Sequence, residues 1–180
     1  MAYSKLPIGD KAPELVNCVI EIPEGGSVKY EYDEELDEIK LDRMLYGAMY
    51  YPANYGFIPK TRSDDGDHLD VMVVTSAPLV TGCVVEARPI GVLDMEDEEG
   101  RDWKIIAVAK KDPYFQGMDS IDQLNDHLKK KIANFFEVYK TLQAAEGKWV
   151  KVKNWSGRDE AHRLIKQAAE KFAKEKHKAS

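Results

Sequence analysis

The chain is poor in cysteine, with two in 180 residues, Cys18 and Cys83. Both sit in apolar, strand-like surroundings, "VNCVIEI" and "GCVVEA". A free thiol packs there as a small hydrophobe, and nothing suggests the disulfide framework of a small secreted domain. No apolar run approaches the roughly 20 residues of a membrane-crossing helix. The opening "MAYSKLPIGDKAPE" lacks the apolar segment of a signal peptide, so the cytoplasm is the expected compartment and no membrane partner is expected. Basic excess is missing as well: the formal net charge is −6. That speaks against a general nucleic-acid binder, while leaving room for a local basic pocket. The four histidines, His68, His127, His162 and His177, show no zinc-ligand spacing. Internal repeats, low-complexity tracts and linkers are absent, and the length suits one core, so residues 1–180 read as a single domain.

What remains is a β-rich front and a helical end. "LVNCVIEI" is a mostly apolar strand candidate, and "SVKYEYD" alternates, with Val28, Tyr30 and Tyr32 on one parity and Lys29 and Glu31 on the other. "EIKLDR" alternates too, placing Ile39, Leu41 and Arg43 together. "DVMVVTS", "CVVEARPIGVLDME" and "DWKIIAVAK" follow, the last two flanking "EDEEGR", whose Gly100 suits a hairpin turn. Several short strands with turn signals predict an antiparallel barrel or sandwich. "SIDQLNDHLKKKIANFFEVYKTL" has a 3.6-residue apolar period and a capping box at Ser120 and Gln123. "KWVKVKNW" predicts a strand. "SGRDEAHRLIKQAAEKFAKEKHK" predicts a second helix, capped by Ser156 with Asp159.

The stretch "RSDDGDHLDVMVV" crowds Asp64, Asp65, Asp67 and Asp70 at the mouth of a strand. Two carboxylates ~5 Å apart repel by about 3 kcal/mol at an effective dielectric of 20, so a cleft tolerates them only with positive charge present. Asp65-Gly66 also reads as plain turn punctuation. An EF-hand fails: from Asp65 the glycine position falls on Asp70 and the closing glutamate position on Ser76. A second acidic cluster, Asp94, Glu96, Asp97, Glu98, Glu99 and Asp102, lies beside Lys104, which shares strand parity with Asp102. Carboxylate oxygens without matched His or Cys point to hard cations, Mg²⁺ first. Lys29, Arg43, Lys104 and the Tyr139-Lys140 pair together suit an anion with many oxygens, such as a phosphate. "MYYPANYGFIP" reads as a rigid aromatic loop before the acidic cluster, packed under the barrel or aiming a phenol at the anion.

Five stretches in order, "IEIPEGGSVKYEYD", "LDRMLYGAMYYPANYGFIP", "DGDHLDVMVV", "ARPIGVLDMEDEEGRDWKIIAV" and "FFEVYKTLQAAEGKWVKVKNW", resemble the soluble inorganic pyrophosphatases of the Mg²⁺-dependent, OB-barrel type, in their prokaryotic form. The resemblance implies an α+β fold that is mainly β, a five-stranded OB-like antiparallel barrel with two main flanking helices. It implies an inorganic diphosphatase: Mg²⁺-activated water hydrolyses pyrophosphate to two orthophosphates, which drives biosynthetic reactions forward. Asp65, Asp70 and Asp102 match the ligands of the first metal, Asp70 also the bridge to a second, and Asp97 a ligand of metals arriving with substrate. Glu21 joins the metal network. Asp67 matches the general base. Lys29, Arg43, Tyr55, Lys104, Tyr139 and Lys140 match phosphate-binding groups, and Glu31 and Tyr51 supporting positions. Several Mg²⁺ per site are implied, with Mn²⁺ or Zn²⁺ as substitutes, and a homohexamer.

One residue departs from the family pattern. His68 stands where proline, or sometimes glutamate, is usual. Proline would fix φ at 68 and bias Asp67 toward extended geometry, so weaker Mg²⁺ binding is expected of this chain. Competing readings are an OB-fold module that binds oligonucleotide or oligosaccharide without catalysis, a metal-dependent phosphohydrolase acting on nucleotides, and a structural metal protein that has lost catalysis.

Overall fold

A computed structural model describes residues 3–178. Apolar and β-branched residues shape its centre. Strands β1 (Val16–Ile22), β4 (Asn54–Ile58), β5 (Leu69–Val74), β6 (Val84–Asp97) and β7 (Gly100–Ala109) pair in a ring, β1-β4-β5-β7-β6, which returns from β6 to β1. Closure is shared along β1: Val16 to Val19 pair with β6, and Val19 to Ile22 with β4. The five-stranded barrel is therefore present, but it is not antiparallel throughout. Strand β5 runs parallel to β7, Val71 opposite Ile105. The reason is parity: a closed ring with an odd number of strands cannot alternate direction at every step. Strand β8 (Val150–Gly157) extends the sheet beyond β6. Strands β2 (Val28–Asp33) and β3 (Glu38–Met44) form a separate hairpin.

The barrel strands are buried on both faces, which accounts for the unbroken apolar run of β5. Val71, Val73, Ile105 and Ala107 join Leu164 and Ile165 of α2 (Arg158–Lys178) in one cluster. Met72, Val74, Ile106 and Val108 join Phe135 and Phe136 of α1 (Asp126–Val138) in another. Cys18 is buried and Cys83 half-buried, both as free thiols. Among the described residues no helix is long and apolar enough to cross a membrane.

Three local expectations are corrected. The tyrosine-rich stretch is not all loop, because its second half is the wholly buried strand β4. Gly56 lies there not as a turn residue but where β1 crosses: a Cβ on it would stand 1.8 Å from the Val19 carbonyl oxygen. The helix predicted from Ser120 is interrupted. The Ser120–Gln123 capping box closes only a 3-10 turn at Ile121–Gln123, and Asn125 then caps α1 by accepting from the His127 and Leu128 amides. Ser156 does not cap α2, since it sits in β8 opposite Val92.

Asn54 ties the loops around β4. It is fully buried, accepts from the Glu24 and Leu79 amides (3.1 and 2.8 Å), and donates to the Val73 carbonyl and Thr75 Oγ1 (3.1 and 2.7 Å). Asn54→Leu leaves these groups without partners in the interior. The expected loss is ~2–3 kcal/mol, read as a lower urea midpoint at unchanged slope.

Candidate active site

Every expected site residue except Tyr51 lines one cleft of about 560 Å³. Strand β1 brings Glu21, β4 brings Tyr55, and β5 brings Asp70, while Asp65 and Asp67 sit in the loop before β5. The β6–β7 hairpin brings Asp97, Asp102 and Lys104, and the end of α1 brings Tyr139 and Lys140. The β2–β3 hairpin supplies Lys29, Glu31 and Arg43. Tyr51 lies behind, its ring packed on Tyr55 (5.3 Å between centroids) and Phe135 (4.6 Å).

Lys104 is the centre of charge. Its ammonium donates to Asp70 (2.5 Å) and Tyr55 Oη (3.2 Å) and pairs with Asp102 (2.8 Å). Burial opposes its charge, yet the Asp102 and Asp70 carboxylates outweigh burial and hold it protonated well above the ordinary lysine range. Lys140 donates to Asp97 (2.9 Å) and Glu98 (3.1 Å). Lys29 contacts Glu31 and, at 3.0 Å, Asp42. The carboxylates still outnumber these cations locally. Burial, then the Asp70 charge, pushes Glu21 up to about 8. Burial, then Asp65 and Asp70, raises Asp67, and burial above all raises Asp102.

These are the groups a hard divalent cation fits: all-oxygen donors, crowded, partly desolvated and short of positive charge. Among the described residues no three His, Cys, Asp or Glu side chains converge closely enough to hold one ion. Lysine ammoniums lie between the carboxylates instead. The buried Arg43 Nε–H has no hydrogen-bond partner, although its Nη1 donates to Asp42. An anion oxygen satisfies such a donor.

The raised Glu21 carboxyl has a consequence for stability. Between pH 4.5 and about 8 the folded chain keeps a proton that the unfolded chain releases. Metal-free stability therefore falls as pH rises through that window. Glu21→Gln removes the dependence. The metal-free variant is expected to be more stable than wild type by on the order of 4 kcal/mol well above pH 8, and to converge with it near pH 5, by urea unfolding at both pH values.

Several cleft residues escape sequence reasoning, Asp42 and Lys148 among them. Asp42 lies on the wrong parity of an alternating strand. The β2–β3 register slips between Lys29 and Tyr30, so Arg43 pairs with Lys29 while Leu41 pairs with Tyr30. Asp42 thus reaches both Lys29 and Arg43. Glu98 and Lys148 form an ion pair at 2.9 Å on the cleft wall. Against the effect of burial, Lys148 and then other donors pull Glu98 down to about 2. Other members of the acidic clusters face away: Asp94 binds Arg101, Glu96 binds Lys153, and Asp64 binds Lys171.

His68 lines the cleft and is wedged among its neighbours there. Its ring stacks on Phe57 (5.0 Å, 12° between planes) and Tyr32 (5.8 Å, 19°) and lies against Phe172 (5.7 Å). Its Nδ1 is 2.8 Å from the Thr61 carbonyl. Burial holds its pKa below the ordinary histidine value. These contacts hold the imidazole ring in place. The side chain of His177 lies outside the described residues.

Comparison with known proteins agrees with this geometry. The family model for inorganic pyrophosphatase matches residues 18–173. The inorganic pyrophosphatase of Aquifex pyrophilus is 48% identical over 176 residues, covering 97% of this chain and 98% of that one. That of Saccharolobus solfataricus is 51% identical over 169 residues, 93% of this chain and 97% of the other. The crystal structure of inorganic pyrophosphatase from Thermus thermophilus superposes with a TM-score of 0.93 at 46% identity, covering 96% of this chain and 99% of that one. Barrel, cleft and likeness along nearly the whole chain agree, and the chain belongs to the inorganic pyrophosphatase family.

Proposed function

We propose that this cleft is where the chain hydrolyses inorganic pyrophosphate to two orthophosphates, with Asp67 as the base and Mg²⁺ as the working metal. The observation that carries the reading is the meeting, in one cleft, of crowded carboxylates with Lys29, Arg43, Lys104 and Lys140. A carboxylate wall alone would suit a cation, and a cationic wall alone an anion. Both together suit a metal-bound anion.

Asp65, Asp70, Asp102, Asp97 and Glu21 would hold the metals, Asp70 lying between the loop and barrel carboxylates. Bound Mg²⁺ supplies a water whose pKa falls toward neutrality and positive charge for the phosphate oxygens, and Mn²⁺ or Zn²⁺ are the expected substitutes. Asp67 accepts the proton of the attacking water at its carboxylate. Lys29, Arg43, Lys104 and Lys140 bind and orient the phosphate groups, and their fixed charges meet the charge that develops on the leaving phosphate. Burial pushes the Tyr55 and Tyr139 phenols up, so both remain protonated and able to donate. Glu31 steadies Lys29, and Tyr51 supports Tyr55 by packing. Arg43's unpartnered Nε–H favours an anion there.

The chain is read as one domain working in the cytoplasm, where removal of pyrophosphate draws biosynthetic reactions forward. A homohexamer is proposed as well. Light scattering on the eluting protein measures the state.

The deciding assay is phosphate release from pyrophosphate with Mg²⁺ and with excess chelator, beside a nucleoside triphosphate and a single-stranded oligonucleotide. Release that needs Mg²⁺ and strongly prefers pyrophosphate is expected, with no gel shift at moderate salt. No release with any divalent ion would overturn the assignment and return the barrel to the binding-module reading.

A further inference from the structure

The loop that carries Asp65 and Asp67 is fastened by Arg62, a residue of the cleft wall that no phosphate or metal role uses. Inside the loop, the Ser63 amide donates to the Asp67 carbonyl (2.8 Å) and the Asp67 amide to Asp65 Oδ1 (2.9 Å). These bonds set its shape but not its position relative to Asp70. Arg62 supplies the attachment to the rest of the fold. Its side chain is 12% exposed. Nη1 donates to the Gly66 carbonyl (2.5 Å) and to Glu34 Oε1 (2.6 Å), Nη2 to Glu34 Oε2 (3.2 Å), and Nε to Glu175 of α2 (2.8 Å). The guanidinium lies over the Phe172 ring at 5.3 Å. Its backbone amide donates to the Ala168 carbonyl of α2 at 2.9 Å.

We propose that Arg62 is a positioning residue for the cation-holding carboxylates, joining the Asp65–Asp67 loop to the last turns of α2 and to the β2–β3 hairpin. The proposal rests on the reading of Asp65 and Asp67 as part of the metal and water site. Gly66 is the residue between those two carboxylates, so a bond to its carbonyl fixes where both side chains start. The planar fork matters: three nitrogens reach three separate chain segments at once, which a lysine ammonium on a single atom cannot do. Charge alone would act in the opposite sense, since a cation near the site repels a metal. Here the Glu34 and Glu175 carboxylates both pair with the guanidinium, so geometry outweighs repulsion. Phe172 and Glu175 thereby give α2 a part in metal binding, although no residue of α2 lines the cleft.

The test is Mg²⁺ binding to the full chain by calorimetry without pyrophosphate, together with the Mg²⁺ concentration giving half-maximal phosphate release and the KM for pyrophosphate at saturating Mg²⁺. Arg62→Gln and Arg62→Lys are both expected to weaken Mg²⁺ binding about tenfold, the usual scale for losing a group that orients metal ligands. KM at saturating Mg²⁺ should change less than about twofold, because Lys29, Arg43, Lys104 and Lys140 are untouched; a KM rise larger than the loss of Mg²⁺ binding would make Arg62 a substrate contact and overturn the proposal. Glu175→Gln, at a 47%-exposed position on α2, is expected to act in the same direction by about twofold to threefold, and guards against a misfolded arginine variant. Unchanged or tighter Mg²⁺ binding in Arg62→Gln, or full rescue by Arg62→Lys, overturns the proposal. Asp65→Asn separates the two levels of inference. If it abolishes Mg²⁺ binding while Arg62→Gln does not alter it, only the role of Arg62 fails. If Asp65→Asn leaves binding intact, the metal reading of the loop fails first.

Discussion

Asp67→Asn is expected to lower kcat for pyrophosphate hydrolysis by about 10²–10⁴-fold at saturating Mg²⁺, the range general-base catalysis contributes. The substitution keeps the side chain's shape and its place in the loop, and it removes the negative charge together with the ability to take a proton. Burial and the neighbouring Asp65 and Asp70 raise the Asp67 carboxyl above the ordinary aspartate value, which makes it a better base once ionised. The loss should therefore fall on kcat and leave calorimetric Mg²⁺ binding within a few-fold of wild type. The acid limb of the pH–rate profile should also move or vanish, since it reports the base that must be ionised. Phosphate release across pH 5–9, with Mg²⁺ binding measured beside it, decides the matter. A rate kept within threefold would leave water activation to the ions and remove Asp67 from the role. A rate lost together with metal binding would make Asp67 a ligand instead.

Gly56→Ala is expected to cost at least ~3 kcal/mol and to yield little folded protein. The added methyl would meet the Val19 carbonyl oxygen at 1.8 Å and the Ile20 Cα at 2.9 Å. Both are backbone atoms, so no rotamer change relieves the contact. Strands β1 and β4 must separate where Ile20 faces Gly56, and that is one of the pairings that closes the ring. Glu21 and Tyr55 flank the opening, so activity should fall with stability. Gly25→Ala is the control. Its φ is +81°, but nothing stands within 4 Å of the added carbon, so backbone strain alone remains, ~1–2 kcal/mol. Urea unfolding of the two variants beside wild type gives the comparison. Equal losses would mean that the barrel accommodates the contact and that the crossing at Gly56 is soft.

Much of this molecule was legible in the residues. Alternation in "SVKYEYD" put Lys29 and Glu31 on one face, where they meet, and the shared parity of Asp102 and Lys104 became an ion pair. Apolar period placed α1 and α2, and Gly100 turned the β6–β7 hairpin. What escaped depends on contacts distant in sequence. No residue near Asp42 announces the slipped register that turns it toward Lys29. Tyr, Pro and Gly in "MYYPANYGFIP" carry loop chemistry locally, and only pairing with β1 and β5 makes strand of its second half. Asn125 outcompeted continuous helix by capping a new start, and the apolar period runs through such a break undisturbed. Arg62 resembled any surface arginine because its partners stand 28 and 113 positions away.

The odd number of strands in the barrel leaves its mark on the position of the cleft. Parallel neighbours enter the barrel side by side at one rim, and β5 and β7 are the pair that the odd count compels to do so. Aligned as they are, Val71 with Ile105, Asp70 stands next to Lys104, and the two acidic segments leading into them open on the same mouth. A sixth strand in the ring would let direction alternate all the way round and remove that shared entrance. The cleft thus lies at the one place where closure interrupts the alternation, and the barrel's topology, as much as any single aspartate, brings the carboxylates together.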